Sequence, residues 1–236
     1  MITKEYNLQD KLINKIIDIY CNNPNVAILM SGMGSNAEAI LSNRKRYNSI
    51  NISTIVTDKT QSNAKALSEK YNLKYFLQEG GVKTEKAREE YFTKLGSYLT
   101  SNGIDTLLYA GFMKISTKDF VQKFPGINIH PADLTIKASD GKPKYIGMDV
   151  VNAAVNSGDS FIRSTAHVVE SRVDCGQPIM LSRKLPIDNL IADDINNIHE
   201  KLKISCEHDL FPKVIEMLTQ GKVLLKDLPY DFPEDL

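Results

Sequence analysis

The chain has 236 residues, of which 42% are hydrophobic and 25% are charged, a composition typical of a globular protein with a sizeable core. Its 29 Lys and Arg balance its 29 Asp and Glu, so no net charge favours nucleic acid or an anionic membrane as the main partner. Three cysteines without metal-ligand spacing indicate a reducing, cytoplasmic setting, and no apolar run approaches the roughly 20 residues that span a bilayer.

The first predicted element is a helix from Leu8 to Tyr20, where apolar residues recur at helical spacing until Pro24 and the two residues before it stop the pattern. We expect residues 1–24 to form a helical extension packed on a single domain of residues 25–236. The alternative role for this helix is a contact that makes a homodimer.

Short apolar runs then alternate with helical patterns as far as residue 130. The runs are VAILMS, ISTIVTD, KYFLQ, DTLLYAG and GINIH, separated by NAEAILSN, NAKALSEKY, EKAREEYFTKLGSYLTSN and TKDFVQKF. This alternation predicts parallel βαβ units with right-handed crossovers. The expected fold class is therefore α/β, with a Rossmann-like, mostly parallel sheet and helices on both faces.

The pattern changes in the second half of the chain. IGMDVVNAAVNSG predicts a helix, and RSTAHVVES and QPIMLSRKLPI predict a hairpin around the loop RVDCGQ. A long final helix is expected from Asp193 to Leu218, followed by the irregular tail DLPYDFPEDL. The stretch ASDGKPK is the most loop-like interior segment.

The segment SGMGSNAEAI follows the first strand and is a candidate anion site. Gly32 and Gly34 let the backbone turn sharply, and Ser35 and Asn36 begin a helix whose free amides favour an anion such as phosphate. The Walker ending is absent, and Ala37 fills the third position of the dinucleotide-binding glycine pattern. The alternative is a tight strand-to-helix turn capped by Ser35 or Asn36.

The segment INIHPAD is a candidate catalytic site, because Asn128 and His130 project from the same side of a strand that Pro131 ends. An amide donor and an imidazole aimed at one point can stabilise an oxyanion, and the imidazole can carry a proton. In ESRVDCGQP, Asp174 could orient and charge His130. The alternatives are a buried Asn and His that satisfy each other or the backbone, and an Asp that caps a turn.

Together these segments resemble the phosphoribosylglycinamide formyltransferases, folate-dependent enzymes within the wider formyltransferase family. The resemblance covers Val26 to Leu218 and is carried by SGMGSN, AREEYF, AGFMKI, NIHP, HVVESRVDCG and EHDLFP. It implies the formyltransferase fold and transfer of the formyl group of 10-formyltetrahydrofolate to the amine of glycinamide ribonucleotide in purine synthesis. It also implies a reaction between small molecules that needs no metal.

The resemblance assigns roles to residues of this chain. It implies a catalytic group of Asn128, His130 and Asp174, in which Asp174 holds His130 cationic because a carboxylate raises the pKa of a neighbouring imidazole. The residues expected to bind the amine substrate are Gly32, Gly34, Ser35, Asn36, Arg88 and Glu207. Those expected to bind the folate are Phe112, Met113, Lys114, Ile115, Val173 and Asp174.

Some positions depart from the family pattern. About eight residues are inserted after NIHP, so the segment 132–142 could reshape the amine pocket, act as a lid, or form an ordinary surface loop. Arg163 replaces a usual Gly, Asp149 a usual His, and Ile204 a phosphate-facing Gln. The insertion and Ile204 motivate one alternative function, a formyltransferase for another amine such as an amino sugar. Two further alternatives use the same folate: a 10-formyltetrahydrofolate hydrolase, which would leave the loop at Gly34 to Asn36 without a phosphate to bind, and a non-catalytic folate-binding regulator.

Overall fold

The computed structural model describes residues 8–187, 194–223 and 229–231. Its strands are β1 (Asn25–Met30), β2 (Asn51–Thr57), β3 (Lys74–Leu77), β4 (Thr106–Tyr109), β5 (Gly126–His130), β6 (Phe161–Ile162), β7 (Thr165–Val168), β8 (Pro178–Leu181), β9 (Leu185–Pro186) and β10 (Tyr230–Asp231). Its α-helices are α1 (Leu8–Tyr20), α2 (Ser35–Ser42), α3 (Ala64–Tyr71), α4 (Glu85–Ser101), α5 (Lys118–Lys123), α6 (Val150–Asn156), α7 (Ile195–Leu202) and α8 (His208–Thr219).

Eight strands form one sheet in the order β10-β8-β7-β5-β4-β1-β2-β3. The strands from β3 to β5 are parallel, whereas β7 pairs antiparallel with both β5 and β8. The predicted α/β class and the predicted hairpin are therefore confirmed. Strands β6 and β9 form a separate two-stranded sheet. No helix in the described part of the chain is long and apolar enough to cross a membrane.

The central strand β1 explains why helices cover both faces of the sheet. Val26, Ile28 and Met30 belong to the core that contains α1, α2 and α8, whereas Ala27 and Leu29 belong to the core that contains α4 and α5. All five side chains are fully buried. A strand that is buried on both faces does not alternate polar and apolar residues. The continuous apolar run of β1 is therefore typical of a strand inside a parallel sheet.

Helix α1 contributes apolar side chains to the core on one face of the sheet. Leu12, Ile13, Ile16 and Tyr20 are buried in the same core as β1 and α8. Lys15 Nζ also donates a hydrogen bond to the carbonyl oxygen of Gln122, 2.6 Å away. The division of the chain into an extension and a single domain stays a prediction.

Three predicted elements differ in detail. Helix α6 begins at Val150 rather than Ile146, because Gly147 has a positive φ of 90° that an α-helix does not allow. The final helix is α7 and α8 joined by a π-helical turn, Lys203–Glu207, and its predicted start at Asp193 lies outside the described residues. The tail expected to be irregular contains β10, which pairs parallel with β8.

The inserted segment 132–142 folds back on β7. Thr165 Oγ1 donates to the Ala132 carbonyl oxygen at 2.6 Å and accepts from the Leu134 amide at 3.1 Å. Arg163, which replaces a usual Gly, donates through Nε to Asp133 at 2.7 Å and through a terminal nitrogen to Asp231 at 2.9 Å. This arginine therefore ties the insertion to the tail strand.

We predict that Arg163→Met lowers the free energy of unfolding by about 3 kcal/mol, because it leaves the buried Asp133 carboxylate without its charged partner. Chemical denaturation monitored by circular dichroism measures this change. Lys70→Met, which removes the exposed ion pair with Glu38, is the matched control and should leave the unfolding midpoint almost unchanged. Equal effects of the two substitutions would contradict this account of the insertion.

Candidate active site

A cleft of about 500 Å³ opens at the carboxyl ends of β4 and β5, beside Asn36 at the start of α2. The cleft lies at the topological switch point of the sheet. From β1 the chain first adds β2 and β3 on one side of that strand, and it then adds β4 and β5 on the other side. Ligands of open α/β sheets bind at such points. The principal lining residues are Asn36, Phe112, Met113, Lys114, Ile115, Asn128, His130, Met148, His167, Glu170, Val173, Asp174, His199, Lys203 and Glu207.

The Asp174 carboxylate lies between two buried histidines. Its Oδ2 is 3.4 Å from His130 Nδ1, and its Oδ1 is 3.7 Å from His167 Nε2. The amide of Gly147 donates to Oδ2 at 2.9 Å. Asp174 has a positive φ of 49°, a conformation that costs energy for a residue with a side chain and occurs often at functional sites.

His130 has an oxygen atom opposite each ring nitrogen. Nδ1 faces Asp174, and Nε2 lies 2.9 Å from the Tyr145 carbonyl oxygen. Either neutral tautomer therefore leaves one nitrogen lone pair against an oxygen, so this geometry favours the doubly protonated ring. Burial acts the other way and is the larger effect: it lowers the pKa of His130 even though Asp174 and the Tyr145 carbonyl raise it.

The expectation that Asp174 holds His130 cationic stays a prediction, because the carboxylate raises the pKa of His130 while burial lowers it. Desolvation of the ring outweighs the attraction of one carboxylate at 3.4 Å. A negative charge developing beside His130 would raise its pKa again.

His167 fixes the direction of the Asn128 amide. Its Nδ1 is 2.9 Å from the Val168 carbonyl oxygen, which requires a proton on Nδ1 and leaves Nε2 as an acceptor. Asn128 Nδ2 donates to that Nε2 at 3.0 Å. Burial lowers the pKa of His167 to about 4, partly opposed by Asp174 and reinforced by His130, so His167 is neutral at pH 7.

The sequence analysis assigned no role to His167, and this contact was not predicted. The two residues are direct partners across the antiparallel pair β5 and β7. A hairpin signal and the alternation of faces point to such a pairing, but the register between the two strands is not readable from the sequence.

One end of the cleft is polar. Glu207 accepts hydrogen bonds from Asn36 Nδ2 at 2.7 Å and from Ser164 Oγ at 3.1 Å. Burial raises the pKa of Glu207, and the charge of Lys203 and these two hydrogen bonds act against that shift. Asn36 Oδ1 is buried without a hydrogen-bond partner in the described part of the chain.

The other end of the cleft is apolar and partly open. It is lined by Met113, Ile115, Met148 and Val173, whose exposed fractions lie between 38% and 84%. Lys114 sits at the same end, where Nζ donates to the Gly80 carbonyl oxygen at 2.6 Å and lies 3.3 Å from Asp58. Flexible thioether and branched side chains suit a flat, apolar ligand.

The structure brings most predicted site residues into one cleft. The catalytic group and the folate-site residues all line it, as do Asn36 and Glu207. Gly32, Gly34 and Ser35 form the loop beside Asn36 and are not among its lining residues. In this loop Gly34 has a φ of 78°, and an added Cβ would lie 2.5 Å from Met30 Cε.

The expectation that Arg88 faces the substrates is not supported by its position. Arg88 lies on α4 outside the cleft, and its guanidinium contacts both carboxylate oxygens of Glu85, one turn earlier, at 2.5 and 2.7 Å. The local pair at spacing i,i+3 holds this side chain along its own helix.

The inserted segment also lies outside the lining of the cleft. Pro131 on one side of it and Gly147 on the other do line the cleft. Within the described residues, no group of three or more His, Cys, Asp or Glu is placed to hold a metal ion.

Comparison with known proteins identifies relatives along most of the chain. The family model described as formyl transferase matches residues 24–215. The chain is 30% identical over 207 residues to phosphoribosylglycinamide formyltransferase of Haemophilus influenzae, covering 86% of this chain and 90% of that protein. It is 30% identical to a part of the trifunctional purine biosynthetic protein adenosine-3 of Homo sapiens, covering 85% of this chain and 19% of that protein.

Among solved structures, glycinamide ribonucleotide transformylase 1 from Symbiobacterium toebii superposes with a TM-score of 0.74. The match covers 86% of this chain and 91% of that one at 21% identity, and so supports the fold alone.

We predict that His167 makes the protein less stable in acid. Its pKa is about 4 in the folded chain against 6.5 for an ordinary histidine, so the unfolded chain takes up the proton first. Stability present above pH 6.5 is therefore lost as the pH falls towards 4, and His167 accounts for about 3 kcal/mol of that loss.

Urea unfolding at several pH values, for the native chain and for His167→Gln, isolates this contribution. The glutamine should flatten the decline between pH 6.5 and 4. Parallel stability curves for the two proteins would contradict the assignment of a neutral His167.

Proposed function

Because this chain belongs to the formyl transferase family, we propose that it transfers the formyl group of 10-formyltetrahydrofolate to the amine of glycinamide ribonucleotide, a step of purine synthesis. The observation that carries the proposal is the convergence of Asn128, His130 and Asp174 in one cleft at the carboxyl ends of β4 and β5. An amide donor, an imidazole and a carboxylate in this arrangement suit acyl transfer through a tetrahedral oxyanion.

The two ends of the cleft fit the two substrates. Met113, Ile115 and Val173 at the open apolar end would hold the folate ring system, and Lys114 is the cation beside it. Asn36 and Glu207 at the polar end would hold the ribonucleotide next to the glycine-rich loop. When bound, 10-formyltetrahydrofolate supplies a formyl carbon attached to a nitrogen that can leave.

The residues between the two ends would handle charge and the proton. Asn128, oriented by His167, donates its second amide hydrogen to the oxygen that becomes negative when the amine attacks the formyl carbon. His130 Nε2 exchanges the Tyr145 carbonyl for the reacting atoms, and Asp174 stabilises the imidazolium at Nδ1. The bond from carbon to the new amine forms, the bond to the folate nitrogen breaks, and the proton lost by the amine ends on that nitrogen.

We predict that His130→Ala lowers kcat for tetrahydrofolate formation by a factor of about a hundred or more, because it removes the group that gains charge in the transition state. Asp174→Asn should lower kcat as well and keep the hydrogen bond from Gly147. The change in absorbance as 10-formyltetrahydrofolate is consumed measures both. His208→Gln, a histidine change outside the cleft lining, is the control and should keep most of the activity; native-like rates in both cleft variants would reject the proposed roles.

The acceptor is tested by competition among amines. We expect glycinamide ribonucleotide to support turnover and an amino sugar to support little. The inserted segment packs against β7 and does not reshape the amine end of the cleft, which is lined by Asn36, Lys203 and Glu207. Tetrahydrofolate formation with each amine in turn measures the preference. Rapid turnover of the amino sugar without turnover of glycinamide ribonucleotide would reject this acceptor and keep the formyl chemistry.

A further inference from the structure

The short segment 145–147, which follows the insertion, contacts both His130 and Asp174. The Tyr145 carbonyl oxygen lies 2.9 Å from His130 Nε2, and the Gly147 amide donates to Asp174 Oδ2 at the same distance. Because Asp174 also faces His130 Nδ1, this segment bears on the partner of each ring nitrogen. A small shift of its backbone would therefore turn the imidazole or move the carboxylate.

The hydroxyl group of Tyr145 is bound just after the carboxyl end of α6. It donates to Asp159 Oδ2 at 2.5 Å, and Ser157 Oγ lies 2.6 Å from the same hydroxyl oxygen. The phenol is the donor to Asp159 because a carboxylate oxygen accepts. A hydrogen bond to a charged acceptor is stronger than one between neutral groups, so this contact can hold the chain in place.

The residues on either side of Tyr145 do little to fix its backbone. Residues 137–142 of the insertion are exposed, and the Lys144 amide donates to the Ile136 carbonyl oxygen at 2.8 Å, so the chain reaches Tyr145 directly from the insertion. On the other side, Ile146 is exposed as well. The Tyr145 side chain, in contrast, is buried in the core cluster that contains α6.

We propose that Tyr145 is a positioning residue for the catalytic group: its hydroxyl group, held by Asp159, fixes the backbone that orients His130 and Asp174. Neither Tyr145 nor Asp159 lines the cleft, so the effect reaches the site through the backbone. This inference rests on the proposed function, which assigns the reaction to His130 and Asp174. Its alternative is a structural role, in which the hydroxyl group stabilises the fold without affecting His130.

The first test follows the protonation of His130 by NMR in the full chain, without substrates. Burial lowers the pKa of His130, while Asp174 and the Tyr145 carbonyl raise it. In the described part of the chain, Asp174 and His167 are the titratable groups that face its ring. Tyr145→Phe releases the backbone carbonyl from its position and should lower the pH at which His130 titrates.

The matched control is Tyr47→Phe, which removes another buried tyrosine hydroxyl, the one that donates to the Ile40 carbonyl oxygen. It should leave the His130 titration unchanged. Urea unfolding of both variants shows how much stability each loses. A His130 titration that Tyr145→Phe does not move, or that Tyr47→Phe moves equally, would overturn the inference.

The second test measures kcat and KM for tetrahydrofolate formation. Tyr145→Phe should lower kcat about tenfold and leave the KM for 10-formyltetrahydrofolate almost unchanged, because a misplaced imidazole affects the reacting atoms more than the apolar end of the cleft. Asp159→Asn keeps an acceptor oxygen and should lower kcat less, and it carries the same test if Tyr145→Phe does not fold. A loss confined to KM would contradict the positioning role.

A double substitution shows whether the hydroxyl group acts through Asp159. Asp159→Ala should lower kcat in the native chain, and it should lower kcat little further in Tyr145→Phe, because the contact between the two side chains is already lost. Effects of the two substitutions that multiply fully would contradict the proposed connection.

The NMR test uses no turnover and is therefore distinct from the test of the proposed function. A His130 titration that depends on Tyr145, in a chain that does not formylate glycinamide ribonucleotide, would keep the positioning role and reject the acceptor. Formylation of that acceptor, with neither the His130 titration nor kcat changed in Tyr145→Phe, would do the reverse.

Discussion

The contact on which the site depends is the one that the Asp174 carboxylate makes with His130 and His167. One negative group faces two imidazoles of different character. His167 is held neutral by burial, and the Val168 carbonyl fixes its proton on Nδ1, whereas His130 has acceptors on both sides and is able to gain a proton. The difference matters because two adjacent imidazolium groups would repel each other. Only one of the two histidines is therefore arranged to take up charge.

Backbone geometry brings that carboxylate into place. Asp174 adopts a left-handed conformation in the turn between β7 and β8, and Gly176 follows with its α-carbon against the strand, where an added Cβ would lie 1.8 Å from the Val168 carbonyl oxygen. Gly147, also with a positive φ, then donates to the carboxylate from the segment after the insertion. The left-handed backbone of Asp174 and the two glycines together hold its carboxylate at the carboxyl end of the parallel strands.

Much of this arrangement was predictable from the sequence, because it depends on local patterns. The alternation of strands and helices gave the sheet, and the alternation of side chains in a strand put Asn128 and His130 on one face. The contacts that were not predicted depend on register or on choices between nearly equal local partners. His167 meets Asn128 only through the register of β5 and β7, and Arg88 pairs with Glu85 on its own helix instead of facing the cleft.

The final helix shows a second limit of pattern reading. A spacing of three and four residues identifies a helix, but it does not reveal a single π-helical turn, in which Ile204 is exposed. The sequence directed attention to Ile204, and the structure places Lys203 in the cleft. Helical periodicity therefore did not identify which residue beside Glu207 lines the polar end.

The most direct test of the account follows the formyl carbon itself. 10-Formyltetrahydrofolate labelled with ¹³C in the formyl group is incubated with the native chain and glycinamide ribonucleotide, and the label is observed by NMR. The account predicts that the label moves to the amine of the ribonucleotide as a formamide, at the rate at which tetrahydrofolate appears. Label that appears as free formate, or that stays on the folate, would contradict formyl transfer to this acceptor.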